Sequence, residues 1–197
     1  MSRRTRATAA ALAACGLLTL AACGEDGDSD RGDRNEVSAK LADPDGKTIG
    51  TVEIEEDDGA TQMSIRVNGL DAGYHGFHVH TTGKCEADSA APDDPAKTGD
   101  FLSAGGHLNP DDSAHGAHLG DLPALLVKPD GTATLEFTGP FTLDDLRDAD
   151  GSAVMIHAGP DNYANVPERY APEGPDEDTT KTGDAGDRIA CAVIDAG

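Results

Sequence analysis

Tryptophan is absent from the 197-residue chain, and phenylalanine and tyrosine number only four and three. With 24 glycines and 11 prolines beside so few aromatics, the sequence points away from a helical bundle and towards short strands joined by many turns. Basic residues are scarce too: 15 Lys and Arg face 37 Asp and Glu, a formal net charge of -22. That balance excludes nucleic-acid binding, because no basic stripe exists to displace counterions from phosphate. Solubility is the plain explanation of the acidity. An apolar run of the ~20 residues that a membrane-spanning helix needs is also missing. Cysteine is confined to positions 15, 23, 85 and 191.

What the N-terminus does have is Arg3, Arg4 and Arg6, then a run of alanine, leucine and glycine ending in Leu20-Ala21-Ala22-Cys23. This is the pattern of an export signal over residues 1–22 that closes on a lipobox, with Cys23 as the lipidated residue. Leu12-Ala13-Ala14-Cys15 fits the same pattern but leaves too little apolar length behind the arginines. Residues 23–36 carry no bulky apolar side chain and are expected to form a disordered acidic tether. The expected protein is extracytoplasmic, lipid-anchored to the outer face of the cell membrane, with residues 37–197 as its one domain. Once Cys15 is cleaved away and Cys23 acylated, Cys85 and Cys191 are the only ordinary cysteines left. An exported chain usually oxidises such a pair, the alternative being two separately buried thiols. On the chain-entropy model, closing a loop of about 100 residues contributes about 4.7 kcal/mol.

Period-two alternation predicts strands over Val37–Ala42, Ile49–Ile54, Met63–Val67 and Tyr74–His80, separated by turns such as DPDGK and EDDGA. Residues 81–120 then show little periodicity, and APDDPAKTGD is expected to be their mobile, solvated part. Leu122–Val127 and Thr132–Phe137 read as a hairpin across a PDG turn. PFTLDDLRDADG has the residues for a short helix near Leu143 to Arg147 but is expected to cross as a loop to a strand over Ser152–His157. A second long loop leads to the last strand, Arg188–Ile194. The chain therefore reads as all-β: an eight-stranded antiparallel Greek-key barrel or sandwich with two long functional loops.

The chemistry is concentrated in GGHLNPDDSAHGAHLGD, residues 105–121, where His107, His115, His118 and Asp121 follow the spacing H-x7-H-x2-H-x2-D. Imidazole and carboxylate are what a tetrahedral zinc site accepts, and turns can bring all four together. His78 and His80 in GFHVH share one face of a strand, opposite Phe77 and Val79, and His157 lies in VMIHAGPDN. One such histidine alone is more often a satisfied polar residue than a ligand. Seven together are one too many for a single first-row ion and suit two ions that share a bridge.

At these motifs, and again in the tail TKTGDAGDRIACAVI, the sequence closely resembles the copper,zinc superoxide dismutases over roughly Val37 to Ile194. The resemblance implies copper on His78, His80, His107 and His157, and zinc on His107, His115, His118 and Asp121, with His107 bridging as imidazolate and carrying a proton when it leaves copper. It implies a structural role for His75, a Cys85–Cys191 disulfide, and Asp161 as the carboxylate joining a copper histidine to a zinc histidine. Arg188 matches the arginine beside copper that receives the superoxide anion, and Lys181 and Thr182 match the loop shaping its channel. Positive charge at the site matters in so acidic a protein, and superoxide dismutases are themselves a standing example of such steering. One departure stands out: only Gly116 and Ala117 separate the second and third zinc histidines, where most members have a longer segment. A copper-only dismutase and a non-enzymatic copper-binding lipoprotein are the alternatives. A homodimer would show itself only as an apolar patch on the folded surface.

Overall fold

Alternation of apolar and polar residues is what sets the first three strands. In the computed structural model, which describes residues 35–196, these are β1 (Glu36–Ala42), β2 (Thr48–Asp57) and β3 (Ala60–Asn68). Val52 and Ile54 of β2 and Met63, Ile65 and Val67 of β3 point into one core, and their neighbours point to solvent. The expected signal segment and Cys23, with nearly all of the tether, lie outside the described residues.

The strand expected over Tyr74–His80 is broken at Gly76 into β4 (Gly73–His75) and β5 (Phe77–His80). A Cβ on Gly76 would stand 2.6 Å from that of Ala185, so only glycine lets the chain pass this close to the later loop. Gly76 bonds Gly159 O through its N–H and accepts from His157 N, which carries the chain from one sheet to the other.

Further along come β6 (Ser89–Ala90), β7 (Thr98–Gly99), β8 (Leu125–Val127), β9 (Thr132–Gly139), β10 (Ser152–His157) and β11 (Arg188–Ile194). The main sheet curls antiparallel in the order β5-β10-β11-β1-β2-β3-β9. A β4–β8 ribbon links its two edges, because β4 runs on into β5 and β8 turns into β9. Counting β4 and β5 as one, these are the eight antiparallel strands of the expected barrel, with the two long loops after β5 and β10. β10 is buried along its whole length. Val154 and Ile156 join the main core, whereas Ala153 and Met155 meet Phe101, Ala104 and Cys191 under the first long loop.

Four expectations need correction. β8 and β9 are joined by the foreseen turn, with Lys128 N donating to Thr132 O at 2.8 Å, but their ladders run to β4 and β3, so they are not a paired hairpin. PFTLDDL contains a helix, α1 (Leu143–Leu146), closed by a capping box between Thr142 and Asp145, with Leu143 and Leu146 in the core. The second long loop contains α2 (Glu177–Thr182), capped by Asp176 and stopped by Gly183 at φ 63. APDDPAKTGD is solvent-exposed along most of its length, as expected, but it is folded back on itself by the β6–β7 ladder and by Ala91 N donating to Lys97 O.

Candidate metal centre

Three elements bring the seven side chains together. β5 supplies His78 and His80, and the end of β10 supplies His157; the two strands are antiparallel neighbours, with Met155 opposite His78. Loop 105–121 is tied along β5 by Thr81 N to Gly106 O, Leu108 N to Val79 O and Val79 N to Gly120 O, at 2.8–3.0 Å. His107 therefore lies beside His80, and Asp121 beside His78.

Two groups of four donor atoms result, each with all its members within 4.8 Å of one another: His78, His80, His107 and His157, then His107, His115, His118 and Asp121; His78, His115 and Asp161 make a third group, of three. His107 belongs to both groups of four.

Ring orientations follow from what the other nitrogens touch, since a carbonyl can only accept. His80 Nδ1 donates to Gly105 O at 2.9 Å and His157 Nδ1 to Gly186 O at 3.0 Å. Their Nε2 lone pairs then face each other 3.4 Å apart. Asp161 takes His78 Nε2 at 2.7 Å and His115 Nε2 at 2.8 Å on its two oxygens. His78 Nδ1 is left buried without a partner. Asp121 Oδ1 meets His107 Nδ1 at 3.0 Å and both His115 Nδ1 and His118 Nδ1 at 3.2 Å. The His115 contact has the distance of an ion pair but not the angle of a hydrogen bond, so its Nδ1 is aimed at the centre of the group rather than spent on the carboxylate. Lone pairs crowded in this way repel one another and are stabilised by a cation, so the donor sets fit two metal ions.

The electrostatics agree. Burial holds His80 and His157 well below the ordinary histidine range, helped by neighbouring histidines and Arg188, and burial lowers His118 as well. Burial takes His107 down to about 4 against the pull of Asp121. These rings are neutral at pH 7, the form in which imidazole binds metal. Burial works against a charged His115, but the adjoining carboxylates of Asp121 and Asp161 outweigh it and raise it to about 9. Burial likewise opposes the charge on Asp121 and Asp161, yet the surrounding histidines hold both far below the usual carboxylate range.

The copper/zinc superoxide dismutase family model matches residues 48–194. The chain belongs to this family. A superoxide dismutase (Cu-Zn) of Mycolicibacterium paratuberculosis is 45% identical over 170 residues, covering 82% of this chain and 74% of that one. One from Escherichia coli is 36% identical over 186 residues, covering 90% and 95%. The solved Cu/Zn superoxide dismutase from Brucella abortus aligns with a TM-score of 0.59 at 30% identity, covering 81% of this chain and 99% of that one.

Around the donor groups, this superoxide dismutase has a cavity of about 1230 Å³ lined by His80, His107, His157 and Arg188. Arg188 donates to Phe101 O and Gly105 O, each at 2.6 Å. Burial lowers its guanidinium to about 10, against the attraction of Asp93, so it remains a cation at neutral pH. Lys181 and Thr182 line the cavity from the last turn of α2, and the Lys181 ammonium is paired with Glu177. Cys85 and Cys191 form a disulfide with Cα atoms 5.6 Å apart, which ties the first long loop to the strand bearing Arg188. His75 stands outside both groups, between His157 O and Asp71 O at 2.7 and 2.9 Å.

Sequence reasoning passed over the carbonyls of Gly105 and Gly186, which any residue type could supply, and Tyr163. The ring of Tyr163 lies within 12° of parallel to that of His115. Its place directly after Asp161-Asn162 was the one available clue.

Proposed function

We propose that the protein dismutates superoxide to dioxygen and hydrogen peroxide, with copper held by His78, His80, His107 and His157 and zinc by His107, His115, His118 and Asp121. The observation that carries this reading is the shared His107, whose Nδ1 is turned to Asp121 and whose Nε2 is thereby left for the first group. The chemistry that bound copper supplies is a one-electron relay between two superoxide anions, one oxidised to dioxygen and the other reduced, with two protons, to hydrogen peroxide. His107, oriented from its Nδ1 side, presents Nε2 as the atom that can carry one of those protons. His80 and His157 are kept in fixed tautomers by the Gly105 and Gly186 carbonyls. Arg188, with two N–H groups spent on carbonyls, directs its remaining charge into the cavity towards an arriving anion.

The short Gly116-Ala117 spacing still lets His115, His118 and Asp121 converge, which supports zinc beside copper over a copper-only enzyme. Elemental analysis after reconstitution tests the ligand assignment. One copper and one zinc per chain are expected, with His107→Ala weakening both; a variant that kept both metals at wild-type affinity would overturn the assignment.

Lipidation at Cys23 and an extracytoplasmic position are part of the same proposal. The Cys85–Cys191 disulfide supports them, because such bonds persist in oxidising compartments. Mass spectrometry of the membrane fraction should find an acylated Cys23 as first residue, and an unmodified soluble protein would remove the anchor. For a homodimer, the apolar surface on offer is the exposed cross-strand pair Tyr74 and Leu126. Sedimentation of the wild type beside Leu126→Glu tests it, an unchanged dimer in the variant ruling that surface out.

A further inference from the structure

Tyr163 occupies left-handed backbone at φ 54, which is costly for a bulky residue and persists only where the surroundings fix it. Three of its groups are fixed, and all by the zinc side of the centre. Its N–H donates to Asp161 Oδ1 at 2.7 Å, the same oxygen that faces His115 Nε2. Its ring lies nearly parallel to the His115 imidazole, centroids 6.4 Å apart. Its hydroxyl accepts from Ala124 N at 2.8 Å and donates to Leu122 O at 3.3 Å, just beyond Asp121.

The carbonyl of Tyr163 explains why glycine follows His115 in the short spacing. A Cβ on Gly116 would stand 2.7 Å from Tyr163 O, and Gly116 itself has φ 87. The loop from His115 to Asp121 thus passes directly under Tyr163, with glycine at the point of closest approach. One residue touches the loop at its start, at its first turn and just after its end, and is anchored to the carboxylate that orients His115.

We propose that Tyr163 is a positioning residue for the zinc half of the centre: a clamp that holds the His115–Asp121 loop closed against Asp161 and so sets how fast zinc leaves. The inference rests on the zinc ligands proposed above and adds the residue that controls their release.

Zinc release from copper- and zinc-loaded protein into a chromophoric chelator tests it, with copper content and thermal midpoint followed on the same samples. Tyr163→Phe keeps the ring and removes only the hydroxyl bridge, so zinc should leave roughly 2- to 10-fold faster, the effect of the one short hydrogen bond, from Ala124 N, the Leu122 bond being long. Tyr163→Ala should release it faster still, and copper should stay bound in both. Wild-type zinc release in Tyr163→Phe would overturn the clamp. So would equal losses of copper and zinc alongside a lowered midpoint, which would mean general destabilisation. A wild-type protein that takes up copper but no zinc would remove the ligand assignment itself, and this is seen before any variant is compared.

Discussion

His78 and His115 are held by the two oxygens of one carboxylate: Asp161 lies 2.7 Å from Nε2 of the first and 2.8 Å from Nε2 of the second. Each ring is thereby left with Nδ1 facing its own donor group, so one buried side chain orients a ring in each of the two groups. Asp161→Asn would have only one acceptor oxygen for the two imidazole donors and the Tyr163 N–H. Zinc affinity should fall about 10- to 100-fold, as is usual when such outer partners are lost, while His80, His107 and His157 retain copper. Chelator competition for each metal checks this, and unchanged zinc affinity would show that Asp161 does not orient His115.

Arg188 lines the cavity together with His80, His107 and His157. Replacing it by isoleucine should slow superoxide turnover roughly 10- to 100-fold, the cost of a lost charge-assisted hydrogen bond to an anion. Copper content should be unchanged, because the arginine contacts carbonyls and no ligand nitrogen. Rapid-mixing decay at several salt concentrations reads it, and full activity in the variant would mean that another group receives the anion.

The disulfide closes the loop that carries Phe101 and Gly105, the two carbonyls on which Arg188 rests. Cys85→Ser should therefore lower stability by about 2–5 kcal/mol. It should also reduce activity, by loosening the arginine. Denaturant melts with and without reductant should converge for the wild type under reduction and for the variant without it.

The titration of the metal-free protein has a definite sign. His115 is raised from 6.5 to about 9, so the stability it contributes is complete below pH 6.5 and is lost as pH rises through 9. His107 is lowered to about 4, so its contribution is present above pH 6.5 and is lost as pH falls through 4. Chelator-treated protein should be most stable near pH 6.5. Zinc uptake displaces the His115 proton, so zinc should bind more tightly with rising pH up to about 9. Urea midpoints and zinc affinities across pH 4–9.5 test both statements.

The strands and the donor residues were legible because their signals are local. Alternation marks β1 to β3, and FHVH and H-x7-H-x2-H-x2-D put ligand types at spacings that a strand and a loop can use. What escaped depends on tertiary approach. The break at Gly76 comes from Ala185, more than a hundred residues away. The carbonyls that fix His80 and His157 carry no residue-type signal. α1 was legible locally as an alternative to a loop near Leu143 to Arg147, but its four residues are too few to decide the matter without the core behind Leu143 and Leu146.

The most direct measurement is the decay of superoxide, followed by pulse radiolysis, on the protein loaded with copper and zinc, beside the metal-free form and His107→Ala. Catalytic decay that requires copper and is lost with His107 is the predicted result. Stoichiometric copper at the four histidines with decay no faster than the uncatalysed reaction would contradict the account and leave a copper-binding protein on a dismutase fold.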